Sequence, residues 1–132
     1  MNAEDNKRIV EVFCGHFERA AIDDVLEMMS DDATWWVNGK PHLFAGAGIK
    51  TKAEMAQVWH DLYALLDGGL SMDVVGMIAE GDRVAAEVRS HAATRSGKIY
   101  ENDYHILFRL RDGKVVEVKE YADPMHATEI FG

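Results

Sequence analysis

The stretch RVAAEVRSHAATRSGKIYENDYHILFRLRDGKVVEVKEY, residues 83–121, decides the fold. Polar and apolar side chains alternate through much of it, and Ser96-Gly97 and Asp112-Gly113 punctuate it as turns. This predicts strands over 83–95, 98–110 and 114–121, joined by hairpins. A strand precedes them: Met72, Val74, Gly76 and Ile78 keep a period of two, and Glu80-Gly81-Asp82 turns the chain.

Turn chemistry sets the register, and register sets the faces. Ser96-Gly97 as a two-residue loop pairs Arg95 with Lys98. His91 then faces Asn102, Arg89 faces Tyr104 and Glu87 faces Ile106. Cross-strand partners point the same way, so these six share a face with Phe108 and Leu110. For the last hairpin, a three-residue loop, Arg111-Asp112-Gly113, matches apolar with apolar. It sets Val116 opposite Phe108, Val118 opposite Ile106 and Glu120 opposite Tyr104, and a type I turn with a bulged glycine permits it.

The expected face is apolar at one end. At its other end stand Glu87, Arg89, His91, Asn102, Tyr104 and Glu120. A one-residue slip would reverse the assignment. Covered by helices, these groups must pair or shift their pKa, and converging titratable groups in a concave pocket make a candidate site. Left in water, or at a subunit contact, they are ordinary surface charges.

Upstream, residues 5–21 carry Ile9, Val10, Phe13, Phe17 and Ala20 at helical spacing. A second short helix carries Ile22, Val25, Leu26 and Met29, with Asp23 and Asp24 near its start, where the helix dipole favours acids. Thr34 to Val37 is β-branched and aromatic, hence a strand, and glycine- and proline-bearing 39–50 reads as a loop. Thr51 and Glu54 form a capping box ahead of Met55, Val58, Trp59, Leu62, Leu65 and Leu66, and Asp67-Gly68-Gly69 ends that helix. The order α-α-β-α-β-β-β-β implies an α+β domain, an antiparallel sheet with helices on one face.

The 132 residues make one domain, large enough for a core without staples. Acids outnumber bases 23 to 14, for a net charge of −9. That argues against nucleic acid and against an anionic membrane as partners. Cys14 is the only cysteine, so no internal disulfide forms. No apolar run is long enough to span a bilayer. The polar start Met-Asn-Ala-Glu-Asp-Asn-Lys lacks a signal peptide's hydrophobic region, so a cytoplasmic protein is expected. His42, His60, His105 and His126 lack metal-ligand spacing, and Gly46-Ala47-Gly48 is too short to cradle phosphate, so neither metal nor cofactor is expected.

The element order and VLEMMSDDATW at 25–35 resemble the nuclear transport factor 2-like superfamily, and within it SnoaL-like and ketosteroid-isomerase-like proteins. FRLRDGKVVEVKEYAD at 108–123 is similar to that family's last hairpin. The resemblance implies a curved sheet wrapped on N-terminal helices, a cone with an internal pocket that takes in the Glu87-to-Glu120 face. It also implies a homodimer through the outer sheet face, with Trp36 at a subunit contact. Against ketosteroid isomerases, Phe13, Val37 and Ile106 stand where the tyrosine donor and two aspartates belong, so that mechanism is not expected. Trp59 stands at a pocket tyrosine. Against limonene epoxide hydrolases, Arg89, His91 and Glu120 fall at the arginine and two acids, while Trp35 and Val37 replace the water-holding groups. SnoaL-type polyketide cyclases set a carboxylate, often near a histidine, in a large apolar pocket, a pattern that Glu120 and His91 suit.

The expected function is cofactor-free acid/base chemistry on a small, mostly apolar organic molecule: isomerisation, cyclisation, dehydration or hydrolysis. Glu120 would be the base and His91 its partner, with Arg89 and Tyr104 stabilising oxygen charge. Phe13, Phe17, Trp35, Val37, Trp59, Glu87, Asn102 and Ile106 would bind the ligand. The alternative is a non-catalytic ligand-binding or dimerisation module of the same fold.

Overall fold

The computed structural model describes residues 2–132. The chain runs α1 (Ala3–Glu18), α2 (Ile22–Glu27), β1 (Met29–Val37), β2 (Gly48–Thr51), α3 (Lys52–Leu65), β3 (Ser71–Glu80), β4 (Arg83–Ala93), β5 (Ile99–Arg111), β6 (Lys114–Tyr121) and α4 (Pro124–Phe131). One sheet has the order β2-β1-β6-β5-β4-β3. All neighbours are antiparallel except β1 and β6, which run parallel. This is the expected α+β arrangement with three additions: the parallel pair, and the elements β2 and α4.

Local chemistry explains the helices. Asn2 caps α1 by accepting the Asp5 N–H at 2.9 Å. Thr51 and Glu54 close the expected capping box at 3.1 and 3.0 Å, a device worth about 1 kcal/mol. Helix α1 buries Val10, Phe13, Cys14 and Phe17 against the sheet, and α3 buries Met55 and Trp59. Phe13 is the hub: its ring centroid lies 5.7 Å from Phe17, 6.1 Å from Trp35 and 5.8 Å from Phe108. Burial pushes the Cys14 thiol up to about 12, so it stays protonated.

The β4–β5 hairpin corrects the expected register. Its loop has three residues, Arg95-Ser96-Gly97, rather than two. Thr94 and Lys98 bond across it at 2.8 Å, Gly97 N–H donates to Thr94 O at 3.0 Å, and Gly97 takes the left-handed conformation at φ +88°. Thr94 Oγ1 also accepts the Lys98 N–H at 2.9 Å, fixing this closure. His91 therefore pairs with Glu101, Arg89 with Asp103 and Glu87 with His105. The slip turns Glu87, Arg89 and His91 out to solvent and Val84, Ala86, Val88, Ser90 and Ala92 in. The hydrophobic balance favours this choice, since the other register would bury two charges and expose four apolar side chains.

The β5–β6 hairpin departs twice. Its loop is the two-residue Asp112-Gly113, with φ +51° and +79°, as a type I′ turn requires. Leu110 pairs with Val115 but Arg109 with Glu117, so Val116 is the extra residue of a bulge. Past it, Val118 meets Phe108 and Glu120 meets Ile106, not Tyr104. Loop and bulge offset one another, and Glu120 stays on the inner face. A bulge at Val75 acts similarly in β3: Met72 and Val74 face inward, and Ile78 is exposed.

Gly69 shows the tightest backbone approach. A Cβ there would stand 1.8 Å from Glu18 O at the end of α1. Gly69→Ala is therefore expected to cost about 2–4 kcal/mol, as severe steric lesions do. Gly15→Ala, inside α1 with nothing within 4 Å of the added methyl, should gain about 0.5–1 kcal/mol. Urea unfolding of the two variants checks both signs.

Candidate active site

Between the inner sheet face, α1, α3 and α4 lies a cavity of about 620 Å³. Phe17, Trp35 and Trp59 supply aromatic wall, with Trp59 edge-on to the other two at 5.3 and 5.1 Å. Val37, Met55, Leu62 and Met72 extend the apolar lining. The 40s segment adds Leu43, Phe44 and Gly46, and α4 adds Ala127, Thr128 and Phe131.

Few polar groups enter this space. Strand β6 delivers Glu120, and its parallel neighbour β1 delivers Trp35, whose Nε1–H donates to Glu120 Oε1 at 3.1 Å. Among the described residues, Oε2 has no hydrogen-bond partner from the chain. Burial pushes the Glu120 pKa up to about 7, although the Trp35 hydrogen bond and the Lys50 charge both pull it down. The carboxyl is thus divided between its two forms near neutrality, where general acid/base exchange is most effective.

Strand β5 contributes two phenols. Tyr100 Oη and Tyr104 Oη lie 2.5 Å apart, and both line the cavity. Asn102 anchors this pair. Its Oδ1 accepts the Asp123 N–H at 3.0 Å, so its amide nitrogen must be the group that donates to Asp123 O and to Tyr100 Oη, each at 3.0 Å. The Tyr100 oxygen thus accepts from Asn102, and one phenol proton joins it to Tyr104, either oxygen being able to donate. Burial raises the pKa of both phenols, and the nearby Glu120 charge raises Tyr104 further, so both remain donors.

Of the sequence-predicted residues, the structure brings Glu120, Tyr104, Phe17, Trp35, Val37 and Trp59 together around the cavity. Phe13 and Ile106 are sealed in the core and do not line it. Asn102 is buried behind the tyrosines as their anchor. Arg89 and His91 are corrected outright: they stand on the outer face, 3.7 Å from Asp103 and 3.7 Å from Glu101 in exposed pairs. Such pairs contribute at most about 1 kcal/mol. Glu87 is exposed beside them.

The expected reading missed Tyr100, Lys50 and the α4 side chains. Tyr100 keeps the two-residue spacing of Asn102 and Tyr104, a signal that was present. Lys50 becomes visible only once β2 is recognised, since it pairs with the inward-facing Trp35. For α4 the signal was Asp123-Pro124, an N-cap followed by proline. Among the described residues, no cluster of three or more His, Cys, Asp or Glu is placed to hold a metal ion.

Residues 10–118 match the family model of the SnoaL-like domain. A search of curated proteins found no match. Among solved structures, PrhC from Penicillium brasilianum is similar at TM-score 0.86 and 14% identity, over 97% of this chain and 86% of that one. TerC co-crystallized with polyporic acid is similar at 0.81 and 20%, over 96% and 97%. An NTF2-like protein of unknown function from Burkholderia pseudomallei is similar at 0.82 and 15%, over 98% of each chain. At such identities the likeness is one of fold.

The Glu120 environment predicts a pH signature in stability. A carboxyl whose pKa is about 7 when folded, against 4.5 when unfolded, keeps its proton longer in the native state. Native stability is then fullest below pH 4.5 and falls as pH rises through about 7, a loss of about 3 kcal/mol. Glu120→Gln should remove this slope, so that the variant is the more stable protein above pH 7 by roughly that amount. Urea midpoints from pH 4 to 8 test it, and parallel curves for the two proteins would refute it.

Proposed function

The chain belongs to the SnoaL-like domain family, and on that footing we propose that it is a cofactor-free acid/base enzyme acting on a small, mostly apolar organic molecule. The observation that carries the reading is Glu120, a carboxylate lodged among aromatic rings and held by one indole N–H, with a pKa near neutrality. TerC, of like fold, was co-crystallized with a small organic molecule, polyporic acid, which agrees with a cavity that admits such ligands.

The proposed step is a proton transfer. Glu120 carboxylate takes a proton from a carbon next to a carbonyl, or from a hydroxyl, and becomes the neutral acid. The electron pair moves onto the substrate oxygen, where the Tyr104 O–H, backed by Tyr100 and Asn102, donates to the growing negative charge. Return of the proton by Glu120 to another atom gives isomerisation or ring closure, and its delivery to a leaving hydroxyl gives dehydration. The apolar walls exclude water from these charges and strengthen each hydrogen bond. Arg89 and His91 take no part. The proposal includes a homodimer through the outer sheet face, where Trp36 packs on Tyr121 at 5.1 Å and Ile49 is exposed.

Turnover assays with apolar enolisable ketones, β-hydroxycarbonyls and epoxides test this reading. Glu120→Gln should lower kcat by about 10²–10⁴ while ligand affinity changes little. Tyr104→Phe should cost about 10²–10³, the usual loss for one oxyanion donor. For a base, kcat/KM should rise with pH through about 7. Unchanged turnover in Glu120→Gln overturns the role of Glu120. Binding without turnover of any compound favours the non-catalytic module.

A further inference from the structure

Lys50 is the one cation lining the cavity among the described residues. It sits on β2 opposite Trp35, so its side chain shares the inner face with that indole. Its Nζ donates to Gly46 O at 2.7 Å, which uses one of three N–H bonds. No carboxylate lies within 4.0 Å of it among the described residues, whereas Lys52, two residues on, pairs with Asp31 at 3.5 Å. Strand order places β1 between Lys50, which pairs with Trp35, and Glu120, which pairs with Val37, so their backbones stand about 12 Å apart, two inter-strand spacings across and two residues along. Lys50 and Glu120 form no ion pair, yet Lys50 acts on Glu120 as a positive charge through the cavity. A half-buried ammonium with spare donors beside apolar walls is a receptor for negative charge.

We propose that Lys50 forms an anion subsite and that the ligand is an apolar organic acid, its anionic oxygen on Lys50 Nζ and its hydrocarbon body against Phe17, Trp59 and Met72. This rests on the cavity being the ligand site and adds the class of ligand it takes. Glu120 at the other side of β1 then meets the reacting end of the molecule, and Lys50 sets which end that is. Charge recognition at one end gives selectivity that apolar walls alone cannot give, because an uncharged analogue leaves the ammonium without its partner.

Two dyes of like shape separate charge from shape: 8-anilinonaphthalene-1-sulfonate, an anion, and N-phenyl-1-naphthylamine, which is neutral. Both should bind the wild-type protein and compete with one another. Lys50→Met should weaken the sulfonate dye tenfold or more and leave the neutral dye within twofold, and Lys50→Arg should restore most of the loss. Equal weakening of both dyes assigns Lys50 to holding the Gly46 segment and overturns the subsite. Unchanged sulfonate binding overturns it as well. Binding of the neutral dye without the sulfonate dye also overturns the subsite, whereas failure of both dyes to bind, or of two bound dyes to compete, removes the cavity reading itself.

Discussion

A carboxylate among aromatic rings must find a donor or give up its charge, and in this protein the Trp35 N–H to Glu120 bond meets that constraint. The bond depends on β1 and β6 lying side by side and parallel, although 85 residues separate its two ends in sequence. Trp35 in turn stacks on Phe13, the hub of the core, and meets Trp59 edge-on. Sheet topology, core packing and site electrostatics thus converge on one indole ring. The indole leaves Glu120 short of full satisfaction, which keeps its proton exchangeable.

The tyrosine pair is built on the opposite principle. Asn102 has every polar atom engaged, two of its bonds running to the Asp123 backbone. Asp123 also caps α4, accepting the Met125 N–H at 2.9 Å. His126 of that helix stacks on Tyr100 at 5.4 Å with the rings 7° from parallel. The helix that covers the cavity and the phenols that face it are therefore parts of one hydrogen-bonded unit. Glu120 is held by a single donor, whereas this unit is tied at several points to the backbone and to α4.

Much of this was legible in the chain, for reasons that can be named. The spans of β3 to β6, the capping box at Thr51 and the apolar stripe of α1 follow from periodicity and local hydrogen bonding, which need no tertiary partner, whereas β1 begins at Met29, five residues before the β-branched and aromatic run that announces it. The inward side of β4 did not follow. Ser96-Gly97 can close as two residues or three, and burial of Val84, Ala86 and Val88 together with the Thr94 hydroxyl bond favours three, which turn spacing alone does not reveal. Strand β2 was hidden by the glycines and proline around it, and with it went Lys50. Helix α4 is short and announced only by its cap. Glu120 reached its correct side through two departures that compensate, so its placement owed more to the alternation of Val118 and Glu120 than to the pairing scheme.

That compensation has a consequence for how such a chain can vary. The two-residue turn at Asp112-Gly113 and the single bulged Val116 together decide which side of the sheet Glu120 occupies. Pairing the same residues past the same turn without the bulge would turn Val118 and Glu120 outward together, losing core and acid in one event. A residue added in the turn only lengthens the loop, and loss of Val116 only straightens the strand, so neither change moves the acid. Within the paired stretch, by contrast, the side on which Glu120 stands is a matter of parity: one residue more reverses it unless a second bulge takes up the addition, and two residues more restore it.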